Sequence, residues 1–108
     1  MLTKEELPEC PVATTVWLIG NKWKLLIIRN LIDNDRQRFT DFLKTIPSIS
    51  KRVLTDNLRA LENDGLVERE VLSQTPPRVE YSLTELGKTL KPVLDAMRDW
   101  GSEYKNMV

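Results

Sequence analysis

Histidine is absent from this 108-residue chain, and cysteine occurs once. Without histidine, the commonest general base and the commonest metal ligand are missing, which excludes a hydrolase working through an imidazole. A single thiol excludes an intrachain disulfide and a cysteine-based zinc site. Neither GxGxxG nor GxxxxGK followed by Ser or Thr occurs, so both Gly-rich phosphate loops are missing. No pair of carboxylates stands apart from ordinary helix surface. The chain therefore reads as a protein that is not an enzyme and carries no cofactor. Its longest run of large apolar residues, Leu25-Leu26-Ile27-Ile28, is far short of the ~20 residues a membrane helix needs. The opening Met1-Leu2-Thr3-Lys4-Glu5-Glu6 is acidic and has no apolar core, so no secretory signal, no membrane partner and a cytoplasmic location are expected.

What is present describes one soluble domain. Hydrophobic residues make up 41% and charged residues 30%, too apolar for a disordered chain. The formal charge is zero but uneven: between Lys22 and Arg59 nine basic residues face four acidic ones, a local excess of +5. A basic middle in a neutral chain suits a polyanion, and equally suits a set of solvated helix faces.

Residues 1–9 read as a flexible leader and 10–108 as the domain. Pro11 fits the first position of a helix running to Ile19, with Gly20-Asn21 ending it. A second helix covers Lys22 to Ile32, where Trp23, Leu26, Ile27 and Leu31 recur at helical spacing, and Asn34 stops it. Thr40 is expected to cap a short third helix that Pro47 closes. Ser50 caps a fourth, whose stripe is Leu54, Leu58 and Leu61 and whose end is Gly65. The period then changes to two. Val67–Leu72 and Arg78–Leu83 are expected as strands joined by a five-residue loop, Ser73–Pro77. One last helix is expected from Thr84-Glu85 to the C-terminal region, dented at Pro92. The fold class is thus mainly α with a small β-hairpin (α+β), a winged helix-turn-helix whose tight turn is Pro47-Ser48-Ile49-Ser50.

In such a motif the second helix enters the major groove by its N-terminal end. With Leu58 at zero on a helical wheel, Leu54 and Leu61 lie within about 60° of it, while Arg52, Thr55, Asp56 and Arg59 point away from this core side. Lys51 sits in the first turn, where it reaches past the helix end. Ser50, Lys51, Arg52, Thr55, Asp56 and Arg59, with Arg38 before helix 3 and Arg78 on the wing, form the expected DNA-binding set. Arginine donates a bidentate pair to guanine, and threonine touches a thymine methyl. Free N–H groups at the helix start favour phosphate. The competing readings are a surface helix stabilised by pairs such as Arg52–Asp56, a solvated loop Arg78, and a winged-helix module that binds protein or RNA without a regulatory thiol.

Cys10-Pro11-Val12, Gly20-Asn21-Lys22-Trp23, Arg38-Phe39, Ile49-Ser50, Leu54-Thr55, Asp64-Gly65-Leu66-Val67 and Pro76-Pro77-Arg78-Val79-Glu80-Tyr81-Ser82-Leu83-Thr84, followed by Gly87 and Trp100, resemble the HxlR family. These are bacterial winged helix-turn-helix regulators related in fold to the MarR type. The resemblance spans Cys10 to Tyr104. It implies a homodimeric transcription factor on a pseudo-palindromic double-stranded operator, dimerising through its N- and C-terminal helices. Gly20-Asn21 departs from the Gly-Gly common in the family, a mild change because Asn tolerates left-handed backbone.

The stripes agree with that implication. Leu90, Val93, Leu94, Met97, Trp100 and Tyr104 on the last helix, and Val16 and Trp17 on the first, are the expected dimer interface, unless they are intramolecular core. Cys10 precedes a helix start, where free N–H groups favour thiolate. The resemblance makes it a sensor of oxidants or electrophiles; the alternative is a small packing residue.

Overall fold

The computed structural model describes residues 2–108 and contains six α-helices and one antiparallel hairpin. The order is α1 (Pro11–Ile19), α2 (Lys22–Asp33), α3 (Phe39–Thr45), α4 (Lys51–Asn63), β1 (Val67–Gln74), β2 (Pro77–Leu83), α5 (Glu85–Lys88) and α6 (Lys91–Met107). One 3-10 turn, Lys4–Glu6, lies in the N-terminal leader. No helix among the described residues is long and apolar enough to cross a membrane.

The caps explain the boundaries. Asn21 begins α2 by accepting the Lys24 N–H at 2.8 Å, and Ser50 begins α4 by accepting the Val53 N–H at 3.1 Å. Each satisfies a donor that the first helical turn leaves free. Gly65 takes φ 75° after α4, in the left-handed region that glycine enters without steric cost. Ser48 also has a positive φ, 65°, which sharpens the corner between α3 and α4.

Four expectations are corrected. Helix 3 is not capped by Thr40: its N-cap is Arg38, whose backbone N–H is held by Asp41 Oδ2 at 2.8 Å, so Thr40 already lies inside the helix. The five-residue loop is instead a two-residue turn, Thr75-Pro76, because both strands run on past the points where their alternation fades. A register shift between Val71 and Ser73 takes up the odd residue. The single last helix is two helices, α5 and α6, separated at Thr89-Leu90. Pro92 does not dent a helix interior; it sits in the first turn of α6, where a missing N–H costs nothing.

The core gathers Ile27, Ile28 and Leu31 of α2, Phe42 of α3, Leu54, Leu58 and Leu61 of α4, and Val67, Tyr81 and Leu83 of the hairpin. Phe42 meets Tyr81 edge to face, with ring centroids 6.1 Å apart. Buried Gln37 exchanges two backbone hydrogen bonds with Tyr81, at 3.0 and 2.8 Å, and joins the helix-turn-helix to the wing. Beneath it, Asn30 Nδ2 donates to Gln37 Oε1 at 3.3 Å and to Thr45 Oγ1 at 2.6 Å. No buried side-chain polar atom among the described residues lacks a partner, which is what a low-dielectric interior demands.

Candidate nucleic-acid interface

Burial of Leu54, Leu58 and Leu61 turns the rest of α4 outward. Lys51, Arg52, Asp56 and Arg59 are exposed, and Thr55 is half-buried with its hydroxyl donated to the Lys51 carbonyl at 2.8 Å. Ser50 lies exposed at the head of the same helix, and Arg38 exposed at the head of α3. The Arg52–Asp56 pair is not formed. Among the described residues, no carboxylate lies within 4 Å of the side-chain nitrogens of Arg38, Lys51, Arg52 or Arg59, although Asp41 holds the Arg38 backbone N–H. These cations are not engaged in internal ion pairs, so their donors are free to meet an external anion.

Arg78 is placed differently. Its Nε and Nη2 donate to Glu80 Oε2 at 3.2 and 3.0 Å. Glu80 also lies 3.6 Å from Arg36, which donates to Glu70 at 2.8 Å across the hairpin. The hydrogen bond and charge of Glu70 raise the pKa of the Arg36 guanidinium above its usual value, with Glu80 adding to the effect. Sequence reasoning missed this Arg36–Glu70–Glu80–Arg78 group, which only the strand pairing assembles. It also missed Arg69 on β1. The signal available was the alternation Val67, Arg69, Val71, which puts a charge on the apolar face of the strand.

The expected interface residues divide three ways. Leu94 is buried in the domain's own core, and Leu90 and Val93 are half-buried against it. Val16, Trp17, Met97, Trp100 and Tyr104 are exposed, Trp17 by 60% and Trp100 by 67%. Trp100 and Tyr104 stack with centroids 5.3 Å apart and planes 13° from parallel. Pro92, Val93, Ala96, Met97 and Trp100 line an almost wholly apolar shallow groove beside them. Cys10 is exposed at the N-cap of α1, and its carbonyl accepts the Thr14 N–H at 2.9 Å.

A family model described as HxlR-like helix-turn-helix matches residues 18–108. The helix-turn-helix transcriptional regulator YdeP of Bacillus subtilis is 49% identical over 106 residues, covering 98% of this chain and 82% of its own length. The solved structure of the redox regulator HypR in its reduced form aligns with a TM-score of 0.85 at 47% identity, covering 91% of this chain and 96% of that one. The reduced form of the transcriptional regulator YodB from B. subtilis aligns with a TM-score of 0.74 at 39% identity, covering 90% and 95%. With a winged helix-turn-helix in place and the model matching most of its length, the chain belongs to the HxlR-like helix-turn-helix family.

Proposed function

We propose that this protein is a sequence-specific, DNA-binding transcriptional regulator that acts in the cytoplasm as a homodimer on an operator of two half-sites. The observation that carries the reading is α4, a helix with a capped start that presents Lys51, Arg52 and Arg59 outward with no internal ion pair. Ser50 leads this helix, and its free N–H groups meet a phosphate oxygen. Arg52 and Thr55 reach base edges, and Asp56 accepts from a cytosine amine. Arg38 and Arg78 take backbone phosphates on either side. Because Arg78 must leave Glu80 to do so, its net contribution is the smaller.

Selection of bound duplexes from random DNA tests the reading directly. A two-half-site motif supports it; failure to enrich any duplex overturns it. Arg52→Ala is expected to weaken the selected operator by about 1–3 kcal/mol and to relax preference at one base pair, as loss of a bidentate contact does. Equal affinity of variant and parent across several salt concentrations removes Arg52 from the site.

The second copy covers Val16, Trp17, Met97, Trp100 and Tyr104, and continues onto the half-buried Leu90 and Val93; Leu94, buried in the domain's own core, is left out of the interface. HypR, a redox regulator by name, supports placing the signal at Cys10, which is exposed and is the only thiol. An oxidant or electrophile modifying Cys10 shifts α1 within the dimer and alters the spacing of the two recognition helices. With one cysteine per chain, the stable product is a disulfide to the partner's Cys10, a mixed disulfide with a small thiol, or an adduct. Treatment with diamide is expected to change operator affinity of the parent and leave Cys10→Ser unaffected. A response retained in Cys10→Ser assigns the signal elsewhere.

A further inference from the structure

We infer that the cleft between α4 and the hairpin is a binding site for a backbone phosphate of the duplex, with Arg69 and Arg59 as its two donors. The inference rests on the DNA-binding reading above and adds to it a residue that the sequence did not single out. The cleft measures about 470 Å³ and is lined by Thr55, Leu58, Arg59, Glu62, Arg69 and Tyr81. Its α4 wall follows i, i+3, i+4, i+7, one continuous helix face. Its other wall follows from the strand period.

Register pairs Val67 with Leu83, Arg69 with Tyr81 and Val71 with Val79. Side chains alternate between sheet faces, so Arg69 shares the face on which buried Val67, Tyr81 and Leu83 pack towards the helices. The acids take the opposite face: Glu68 pairs with Ser82 and Glu70 with Glu80, and there Arg36 and Arg78 are engaged. The hairpin therefore separates its charges. Arg69 is the one charged side chain that β1 and β2 place on the α4 side. Among the described residues, neither Arg59 nor Arg69 has a carboxylate within 4 Å.

Two exposed guanidiniums on separate elements line one cleft beside the recognition helix, and each carries the planar fork of donors with which arginine holds phosphate. Glu62 lines the same cleft and opposes the anion. Arg59 lies in the second half of α4, on the wing side, so its part here is to clamp the backbone while Arg52 reads bases nearer the leading end.

The test titrates parent, Arg69→Ala, Arg69→Lys and Glu62→Gln with the selected operator and with an unrelated duplex, each at several salt concentrations. Arg69→Ala is expected to flatten the log–log salt slope by about one unit for both duplexes, a loss of about tenfold at 0.1 M salt that closes towards 1 M. Arg69→Lys keeps the slope, and Glu62→Gln tightens both duplexes equally. Unchanged melting temperature and circular dichroism of Arg69→Ala, whose side chain is exposed, separate a lost contact from a lost fold. A parent that binds duplexes while Arg69→Ala keeps its slope and affinity overturns the phosphate site alone. A loss confined to the selected operator makes Arg69 a base reader and also overturns it. A parent that binds no duplex overturns both the site and the DNA-binding reading.

Discussion

Replacing Trp100 by Ala is expected to turn a dimer into a monomer at micromolar concentration. Trp100 is 67% exposed in the single chain and stacked on Tyr104, an arrangement that leaves a large apolar surface in water. Tryptophan is the residue most enriched among interface hot spots, and a buried ring is worth on the order of 3 kcal/mol or more on truncation. A two-fold interface uses the same patch twice. The two losses together raise the dissociation constant by about 10⁴-fold. Operator binding falls with it, because each recognition helix then meets its half-site without the effective concentration that the dimer supplies. Sedimentation equilibrium reads the result: the parent is expected near twice 12.5 kDa and the variant near 12.5 kDa. A parent of 12.5 kDa at that concentration removes the homodimer from the proposal, and a variant with the parent's mass removes Trp100 from the interface.

Gly87→Ala is expected to be among the most destabilising single substitutions that add only a methyl group. A Cβ on residue 87 would fall inside van der Waals distance of the Leu66 carbonyl oxygen and 3.1 Å from Leu83 Cδ2. Neither the Leu66 backbone nor Leu83 has free space to retreat into. The Leu66 carbonyl accepts from Thr84 N at 3.1 Å, and Thr84 in turn donates to the Gly65 carbonyl at 2.6 Å and accepts from Gly87 N at 3.0 Å. Moving α5 away to make room loosens this set at the base of the wing. Overpacking costs about 1–3 kcal/mol, and each weakened hydrogen bond adds about 1. A domain of this size is then expected to melt roughly 10–20 °C lower. Thermal unfolding followed by circular dichroism checks it, and a shift within a degree or two would falsify the close-approach account of Gly87.

Local signals carried α1, α2 and α4 because each begins with a residue that can start a helix: Pro11, Asn21 and Ser50. Each also keeps one apolar face over several turns. The helix that broke into α5 and α6 has a continuous stripe from Leu86 to Trp100, and periodicity alone does not show a break when the stripe runs through it. At Thr89-Leu90 the N–H groups turn to carbonyls three residues back, Leu86 at 3.1 Å and Gly87 at 3.0 Å, next to the point where Gly87 packs against Leu66, a residue far away in the chain. The hairpin turn was misplaced for a similar reason. Ser73 and Gln74 are polar, so they read as loop, yet pairing with Arg78 and Pro77 holds them in the ladder.

The candidate interface divides along the same line. The outward set on α4 was legible because a helical wheel needs only the positions of Leu54, Leu58 and Leu61. The absence of an Arg52–Asp56 pair, the hold of Glu80 on Arg78 and the place of Arg69 beside Arg59 were not legible. All three depend on which rotamers and which strand partners the folded chain selects. The last helix shows the division most plainly. Its apolar residues follow one period, but Leu94 turns into the domain's own core, while Trp100 and Tyr104 lie on a part of the helix surface that the domain leaves in water, although Gly101, Ser102 and Lys105 beside them face α2.

From its amino acids alone, the chain determined its class, the starts of α1, α2 and α4 and its outward-facing basic helix, since these follow from composition and from spacing within one element. Only the tertiary structure decided which cations remain unpaired, which apolar residues the domain keeps for itself and where the hairpin and α5 lock together. These are contests between groups distant in sequence, and they are settled by packing and electrostatics in three dimensions rather than by any local preference.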